Sequence, residues 1–165
     1  MSKQYSFYHN KDKCIGCSAC QVACKNWNNV ENGPQWRRLS SATAGTYPAV
    51  SQTFISTSCM HCGIPSCMAA CPLNAITKRS EDGIVVVDRG ICDGCLKCQQ
   101  ACPFGAPQFG RDGTMQKCDF CLSRLQKGQK PVCVTTCKFE ALQCGTTEEL
   151  ADIIARKAAG KLAGT

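Results

Sequence analysis

The sequence lacks long apolar runs and the usual targeting segments. No stretch approaches the ~20 consecutive apolar residues that a membrane-spanning helix needs. Residues 1–7 lack the apolar core of a secretory signal peptide, and the internal pair Arg37-Arg38 is not followed by the apolar run of a twin-arginine signal. We therefore expect a cytoplasmic protein with no direct membrane span, with export alongside a signal-bearing partner as the alternative.

Aromatic and histidine residues are also scarce. Aromatic residues make up 7% of the sequence, and the two histidines are His9 and His61. The apolar fraction of 44% includes 17 cysteines, so the other apolar residues form only a modest conventional core. Cysteine accounts for 17 of 165 residues, and we therefore expect its chemistry to hold the fold together.

Sixteen of the cysteines fall into four quartets that repeat one spacing. The first and third quartets have the spacing C-x2-C-x2-C-x3-C, whereas the middle gap is x4 in the second and x11 in the fourth. Pro72 and Pro103 follow the last cysteines of the second and third quartets, while Lys25 and Lys138 hold that place in the first and fourth. This difference pairs the quartets as outer with outer and inner with inner. The quartets are Cys14, Cys17, Cys20, Cys24; Cys59, Cys62, Cys67, Cys71; Cys92, Cys95, Cys98, Cys102; and Cys118, Cys121, Cys133, Cys137.

This spacing favours 4Fe–4S cubanes over the two other uses of many cysteines, zinc sites and disulfides. Cysteines at i, i+3 and i+6 can reach three iron corners of one cubane, and the last cysteine then ligates a neighbouring cluster, as in two-cluster ferredoxins. Zinc sites close with two C-x2-C knuckles or with histidine, and disulfides need an oxidising compartment. We therefore expect four 4Fe–4S clusters, with Cys144 as a buried thiol and His61 as a hydrogen-bond donor near a cluster, a ligand role being less favoured.

The net charge agrees with this assignment. The formal charge is +7, which by itself would suit nucleic acid or an acidic surface. An oxidised cubane with four thiolates carries a charge of about −2, so four cubanes would leave the loaded protein close to neutral. We therefore expect the basic residues to offset buried cluster charge, and no nucleic-acid partner.

Turn and helix signals between the quartets predict an α+β fold. Asp82-Gly83 lies between the β-forming segments 75–78 and 84–87 and predicts a hairpin, and Asp112-Gly113 predicts a similar turn. Short helices are expected after the third cysteine of each quartet, as over residues 18–26 in the first. Residues 25–58 predict a loop with one short strand near 50–55, a candidate partner surface.

A helix is predicted near the carboxyl end of the sequence. Thr146 and Glu149 form a capping-box pattern, the apolar residues after them recur at helical spacing, and Gly160 can terminate the helix. Packing on the rest of the protein is its simplest role, and docking of a partner is the alternative.

The motifs around the quartets resemble the iron–sulfur subunits of the dimethyl sulfoxide reductase family of molybdenum and tungsten enzymes. The matching stretches are residues 12–17, 59–62, 82–88, 102–108 and 117–121. The resemblance implies four clusters, the first held by Cys14, Cys17, Cys20 and Cys137, and the second by Cys118, Cys121, Cys133 and Cys24. It implies a third held by Cys59, Cys62, Cys67 and Cys102, and a fourth held by Cys92, Cys95, Cys98 and Cys71.

The resemblance also implies two fused, pseudo-symmetric modules of the bacterial ferredoxin type, with short hairpins and helices around the clusters. Residues 1–24 and 104–149 would form the outer module, and residues 56–103 the inner one. Residues 25–55 would be an insertion that contacts a partner, and residues 150–165 a C-terminal helix and tail.

The function implied is electron transfer rather than catalysis, since no active site is expected in this protein. The implied partner is a catalytic oxidoreductase subunit with pterin-bound molybdenum or tungsten, with an aldehyde oxidoreductase as one candidate. A flavin subunit or further copies of the same protein are additional candidate partners. The alternatives are a free-standing soluble polyferredoxin and a subunit of a formate dehydrogenase or hydrogenase complex.

Overall fold

The computed structural model describes residues 3–164 of the protein. Within them, eight short strands and six helices form a small α+β fold. The strands are β1 (Tyr5–His9), β2 (Arg37–Ala44), β3 (Ser51–Ser58), β4 (Ile76–Lys78), β5 (Val85–Val87), β6 (Gln108–Phe109), β7 (Met115–Gln116) and β8 (Leu142–Thr146). The helices are α1 (Ala19–Trp27), α2 (Ser66–Ala69), α3 (Lys97–Ala101), α4 (Leu122–Leu125), α5 (Val132–Thr135) and α6 (Thr147–Leu162), and a 3-10 turn covers Lys11–Lys13.

The strands pair into four two-stranded antiparallel sheets: β1 with β8, β2 with β3, β4 with β5, and β6 with β7. The β4–β5 and β6–β7 hairpins confirm the two Asp-Gly turn predictions. Their glycines, Gly83 and Gly113, have positive φ angles of 70° and 72°, which glycine adopts without steric penalty. The β1–β8 pair joins a strand near the start of the sequence to one near its end.

A helix contains the third cysteine of every quartet, and each begins one residue before that cysteine. Helix α1 lies within one residue of its predicted range of 18–26. Helices α2, α3 and α5 start before the third cysteine, whereas the sequence predicts that they follow it. Two kinds of residue precede these helices. Ser18 and Leu96 precede α1 and α3 in a left-handed conformation, whereas Pro65 and Pro131 precede α2 and α5.

The helices of the quartets pack in pairs. Helix α1 of the first quartet packs against α5 of the fourth, and α2 of the second packs against α3 of the third. The outer and inner quartets thus associate through their helices.

The segment before the second quartet differs from its prediction as a loop with one strand. It forms a long hairpin in which eight residues of β2 pair with eight of β3, from Arg37 opposite Ser58 to Ala44 opposite Ser51. The distal part of the hairpin is exposed, but its base is buried at Arg37, Ser56 and Ser58. Strand β2 has little β-forming character of its own, because Ser and Ala fill half of it, and its pairing with β3 stabilises it.

Helix α6 begins with the predicted capping box. The Thr146 hydroxyl accepts from the Glu149 N–H, and the Glu149 carboxylate accepts from the Thr146 N–H. The helix runs through Gly160 to Leu162, so the prediction that Gly160 ends it is wrong. One glycine costs a helix only about 1 kcal/mol, which does not terminate it. Leu150 is buried on the inner face of α6, which packs against β1 and β8.

Cysteine is part of every apolar core in the described residues. One core groups Ile76, Val85, Cys98 and Met115, a second groups Cys20, Cys133 and Leu142, and a third groups Cys59, Ala106 and Cys118. Each is small, which agrees with the modest apolar content of the sequence. Among residues 3–164, no helix is both long and apolar enough to cross a membrane.

Candidate iron–sulfur centres

One backbone turn recurs in the C-x2-C loop of all four quartets. The residue just before the second cysteine has a positive φ in each: 73° at Gly16, 47° at His61, 75° at Gly94 and 63° at Phe120. Glycine adopts this conformation freely, whereas a residue with a side chain is strained by roughly 1–2 kcal/mol. His61 and Phe120 are almost completely buried, at 1% and 0% exposure, and their rings meet edge to face. Packing of these two rings offsets the strain of the turn.

Four cysteines from two quartets line a cleft at the inner pair of helices. Cys92, Cys95 and Cys98 of the third quartet line this cleft together with Cys71 of the second. The remaining lining is apolar apart from Asp93 and includes Ile76, Val87 and Met115.

A second cleft at the outer pair of helices has the same arrangement of four cysteines. Cys14, Cys17 and Cys20 of the first quartet line it together with Cys137 of the fourth, and its lining also includes polar residues such as Lys13 and Ser56. In both clefts, three cysteines come from one quartet and the last cysteine comes from its paired quartet.

The remaining cysteines line neither cleft, and their neighbours are seen in the charges that act on each thiol. Cys133 and Cys121 act on Cys24, while Cys24 and Cys133 act on Cys118. Cys59 and Cys102 act on Cys67, and Cys62 lies in the same C-x2-C loop as Cys59. Cys20 of the outer cleft also acts on Cys133, and Cys67 acts on Cys98 of the inner cleft, so these cysteines adjoin the two clefts. Among residues 3–164, no three or more His, Cys, Asp or Glu side chains are arranged to hold a single metal ion.

Exposure differs between these sets. The two clefts each contain an exposed cysteine, Cys17 and Cys95. By contrast, Cys24, Cys118, Cys121 and Cys133 are all buried. The groups with an exposed cysteine are therefore those at the two clefts.

Burial keeps the enclosed thiols protonated when no metal is bound. Burial raises the pKa of Cys24 to about 12, and its neighbour Cys133 adds to this effect. Burial likewise raises the pKa of Cys98 to about 11. Thiols with such values are neutral near pH 7, so these two can act as thiolates only when a metal displaces the proton.

Several polar groups reach the sulfur atoms. The N–H of Met115 donates to Cys92 Sγ at 3.3 Å, and that of Phe120 donates to Cys118 Sγ at 3.4 Å. The Asn28 amide lies 3.7 Å from Cys24 Sγ, and the Ser56 hydroxyl lies 3.6 Å from Cys20 Sγ. Hydrogen bonds to sulfur help set the reduction potential of iron–sulfur clusters, so these groups are candidate tuning contacts.

Two buried cations accompany the cysteines. Arg37 and Lys117 are each 2% exposed. Within residues 3–164, neither forms an ion pair with a carboxylate. Because a buried unpaired charge is costly, both sites require an anionic group nearby. Anionic 4Fe–4S clusters fit this arrangement. They would bind the sixteen free thiols in four sets, and their negative charge would accompany the two unpaired buried cations.

Sequence reasoning missed these two cations. Arg37 stood out only as half of an arginine pair, and Lys117 only as part of the stretch before the fourth quartet. Their burial depends on the β2–β3 hairpin and on β7, neither of which can be located from cysteine spacing. The one signal that could have pointed to them is the positive charge itself, since basic residues exceed acidic ones by seven.

His61 and Cys144 lie outside the cysteine sets described above. His61 Nδ1 accepts the Val85 N–H at 3.0 Å, and burial holds the His61 pKa well below its usual range, so its imidazole is neutral with the proton on Nε2. Within residues 3–164, Nε2 has no hydrogen-bond partner, so the predicted donor role stays a prediction. Cys144 lies in β8 opposite Phe7 and is only partly buried, so the prediction of a buried thiol is wrong in degree. It lines neither four-cysteine cleft, and burial raises its pKa to about 11.

Known families match the protein at these same segments. A 4Fe-4S dicluster domain matches residues 50–147, and a 4Fe-4S binding domain matches residues 5–26. The B subunit of the anaerobic dimethyl sulfoxide reductase of Escherichia coli is 40% identical in an alignment that covers 99% of this protein and 81% of that subunit.

Two further relatives carry other names. The thiosulfate reductase electron transfer subunit of Salmonella typhi is 38% identical, over 90% of this protein and 79% of its own length. The formate dehydrogenase iron-sulfur subunit of Wolinella succinogenes is 34% identical, over 96% of this protein and 90% of its own length. These matches confirm the resemblance stated from the motifs. Because it contains these cysteine clefts and is 40% identical over nearly its whole length to the B subunit of anaerobic dimethyl sulfoxide reductase, the protein belongs to the 4Fe–4S dicluster family of oxidoreductase iron–sulfur subunits.

Proposed function

We propose that the protein carries electrons through four 4Fe–4S clusters to or from the catalytic subunit of a molybdenum or tungsten oxidoreductase. The observation that best supports this role is the pair of four-cysteine clefts, each with one exposed cysteine, together with the fully buried set of Cys24, Cys118, Cys121 and Cys133. Clusters near the surface can exchange electrons with partners, and buried clusters can connect them.

The proposed ligand sets follow the groups described above. In the order of the proposed electron path they are Cys14, Cys17, Cys20 and Cys137; Cys24, Cys118, Cys121 and Cys133; Cys59, Cys62, Cys67 and Cys102; and Cys71, Cys92, Cys95 and Cys98. We name these clusters A, B, C and D. The core that contains both Cys118 and Cys59 groups a cluster B ligand with a cluster C ligand and supports the order A–B–C–D.

Each cluster would supply a one-electron carrier, and the protein's own residues would set its surroundings. They hold the thiolates, exclude water from cluster B, and donate hydrogen bonds to sulfur. No bond of a substrate is made or broken by this protein in the proposed role.

We also propose that the fold consists of two ferredoxin-like modules, an outer one (1–24 and 104–149) and an inner one (56–103). The packing of α1 on α5 and of α2 on α3, and the shared turn in all four C-x2-C loops, support this arrangement. Residues 25–55 would contact a partner, a role supported by the exposed distal part of the β2–β3 hairpin. Residues 150–165 would form the rest of the C-terminal helix, which begins at Thr147, and the tail after it.

The proposed partner is a catalytic subunit with pterin-bound molybdenum or tungsten. Its support is that two relatives are named as an electron transfer subunit of thiosulfate reductase and an iron-sulfur subunit of formate dehydrogenase. The substrate of that partner is left open. The proposed compartment is the cytoplasm, where free thiols stay reduced until clusters are inserted.

Anaerobic purification of the protein from its native host tests this proposal. We expect about sixteen iron and sixteen sulfide per polypeptide, four of each per cluster, and a copurifying subunit that contains molybdenum or tungsten. Far fewer iron atoms, or stoichiometric zinc, would overturn the cluster assignment. A lone 17.8 kDa species with full iron would instead support a free polyferredoxin.

A further inference from the structure

We propose that the two buried cations, Arg37 and Lys117, are fixed counter-charges that raise the reduction potentials of the interior clusters B and C. This inference rests on the proposed function, because it assumes the four cluster positions. It assigns Arg37 to cluster B, with a smaller effect on cluster A, and Lys117 to cluster C.

Arg37 has only neutral contacts to its guanidinium. Nη1 donates to the Ser56 hydroxyl at 3.0 Å, and Nη2 donates to the Ser58 hydroxyl at 2.9 Å. The guanidinium lies 4.4 Å from the centre of the Phe7 ring. Its Nε is buried and has no hydrogen-bond partner in residues 3–164. These contacts orient the side chain but leave its charge without an anion.

Cysteines of two clusters surround this charge. Ser56, which accepts from Arg37, lies 3.6 Å from Cys20 Sγ, and Phe7, beneath the guanidinium, packs on the cores that contain Cys133 and Cys118. Cys133 and Cys118 belong to cluster B, whereas Cys20 belongs to cluster A. Arg37 therefore lies between clusters A and B, and we expect its larger effect on B.

Lys117 has a similar position one step further along the path. Its ammonium donates to the carbonyls of Val85 and Cys118, the latter at 3.1 Å. Val85 belongs to the core against which Cys67 packs, and Cys118 shares a core with Cys59. Cys67 and Cys59 belong to cluster C, so Lys117 acts on that cluster.

The sign of the effect follows from the charge of the clusters. One-electron reduction takes a cluster with four thiolates from about −2 to about −3, with the electron supplied by the reductant. Burial disfavours the more highly charged reduced form and lowers the potential, whereas a nearby fixed cation favours it and raises the potential. Arg37 and Lys117 thus oppose the effect of burial on the interior clusters.

A purely structural role for Arg37 is the competing explanation. Its contacts to Ser56, Ser58 and Phe7 connect the hairpin to β1, so its loss could disturb cluster binding without any electrostatic effect. Arg37→Lys separates the two roles, because it keeps the charge but cannot reproduce the two-armed contact with both serines.

The experiment is a potentiometric titration of the anaerobic, iron-loaded protein with dithionite, monitored by electron paramagnetic resonance. In Arg37→Gln, we expect one cluster to require about a tenfold more reducing condition, a shift of about 59 mV for a one-electron couple. Arg37→Lys should keep most of the native potential. Arg38→Gln is the matched control, since it removes the neighbouring charge, which binds the Phe104 and Gly105 carbonyls rather than cysteine.

Lys117→Gln should lower the potential of a different cluster from that affected by Arg37→Gln. The inference is overturned if Arg37→Gln and Lys117→Gln leave all potentials unchanged, or if Arg38→Gln lowers them equally. If Arg37→Gln does not retain iron, Arg37→Lys decides: retention of iron and potential supports the charge role, and loss of iron supports the structural one. If the native protein contains far fewer than sixteen iron atoms, the proposed function itself is contradicted. The iron analysis detects that outcome separately from the potentials.

Discussion

His61 and Phe120 adopt the left-handed turn that Gly16 and Gly94 adopt in the other two quartets. Gly16 cannot be exchanged freely for alanine, because a Cβ there would lie 2.6 Å from the Cδ1 and Cζ atoms of Phe54. The sequence shows the C-x2-C spacing but not this turn, since a buried histidine and a buried phenylalanine occupy the same position as glycine. At the residue scale, tertiary packing decides which side chains can occupy a strained position.

Gly16→Ala should destabilise the loaded protein by about 1–2 kcal/mol, because alanine is strained at this φ and contacts the Phe54 ring. The measurement is the guanidinium midpoint at which the visible absorption of the clusters is lost. Gly63→Ala is the control, as a Cβ there meets no atom within 4 Å. Equal midpoints for the two variants would contradict the strain argument.

Cys144 should react slowly with maleimide in the loaded protein. Its pKa of about 11, against an ordinary 9.0, reduces the reactive thiolate about a hundredfold at pH 8. The rate of labelling should therefore rise about tenfold per pH unit until the pH approaches 11.

Mass spectrometry would count the labels. Cys144→Ser should take up no label and should retain all its iron, because Cys144 belongs to none of the proposed ligand sets. Loss of iron in this variant would show that Cys144 is a ligand.

At the scale of elements, the sequence predicts those that local signals determine. The β4–β5 hairpin follows from Asp82-Gly83, and the start of α6 follows from Thr146 and Glu149. The β2 strand could not be predicted, because its Ser- and Ala-rich residues carry no strand signal and depend on pairing with β3. Since β2 carries Arg37, the missed strand also hid the buried charge beside the cysteines. The sixteen cysteines were identifiable because spacing alone defines them, although their roles as ligands stay predictions.

Thr146→Ala should weaken the first turn of α6 by about 1 kcal/mol, because its hydroxyl caps the Glu149 N–H. Amide hydrogen exchange in the first turn of α6 should become several-fold faster. Thr147→Ala is the matched control, since that neighbouring side chain has no part in the capping box. If the amide hydrogens of the first turn exchange at the same rate in both variants, the capping box does not stabilise the helix.

At the scale of the whole molecule, the protein depends on its clusters for stability. The three apolar cores each include cysteine, and Arg37 and Lys117 have no carboxylate partners among residues 3–164. Without clusters, the cores lose the group that their cysteines surround and two buried cations lose their counter-charge. The cysteine-rich composition predicted that the cores depend on the clusters, but only the fold reveals that two buried cations depend on them for a counter-charge.

Removal of iron with an oxidant and a chelator should therefore unfold the protein. We expect loss of near-ultraviolet circular dichroism and rapid digestion by trypsin, both reversed by anaerobic addition of ferrous iron and sulfide. Protein treated identically without chelator and oxidant is the control. An iron-free protein that still unfolds cooperatively would contradict this dependence.

The pairing of β1 with β8 has a consequence for biosynthesis. Strand β1 is translated well before its partner Leu142–Thr146, with more than a hundred residues between them. A nascent polypeptide must therefore hold this strand unpaired while that intervening sequence is synthesised. The β4–β5 hairpin, whose strands are close in sequence, can form long before Leu142–Thr146 leaves the ribosome, so the β1–β8 pair closes only after this local hairpin is available.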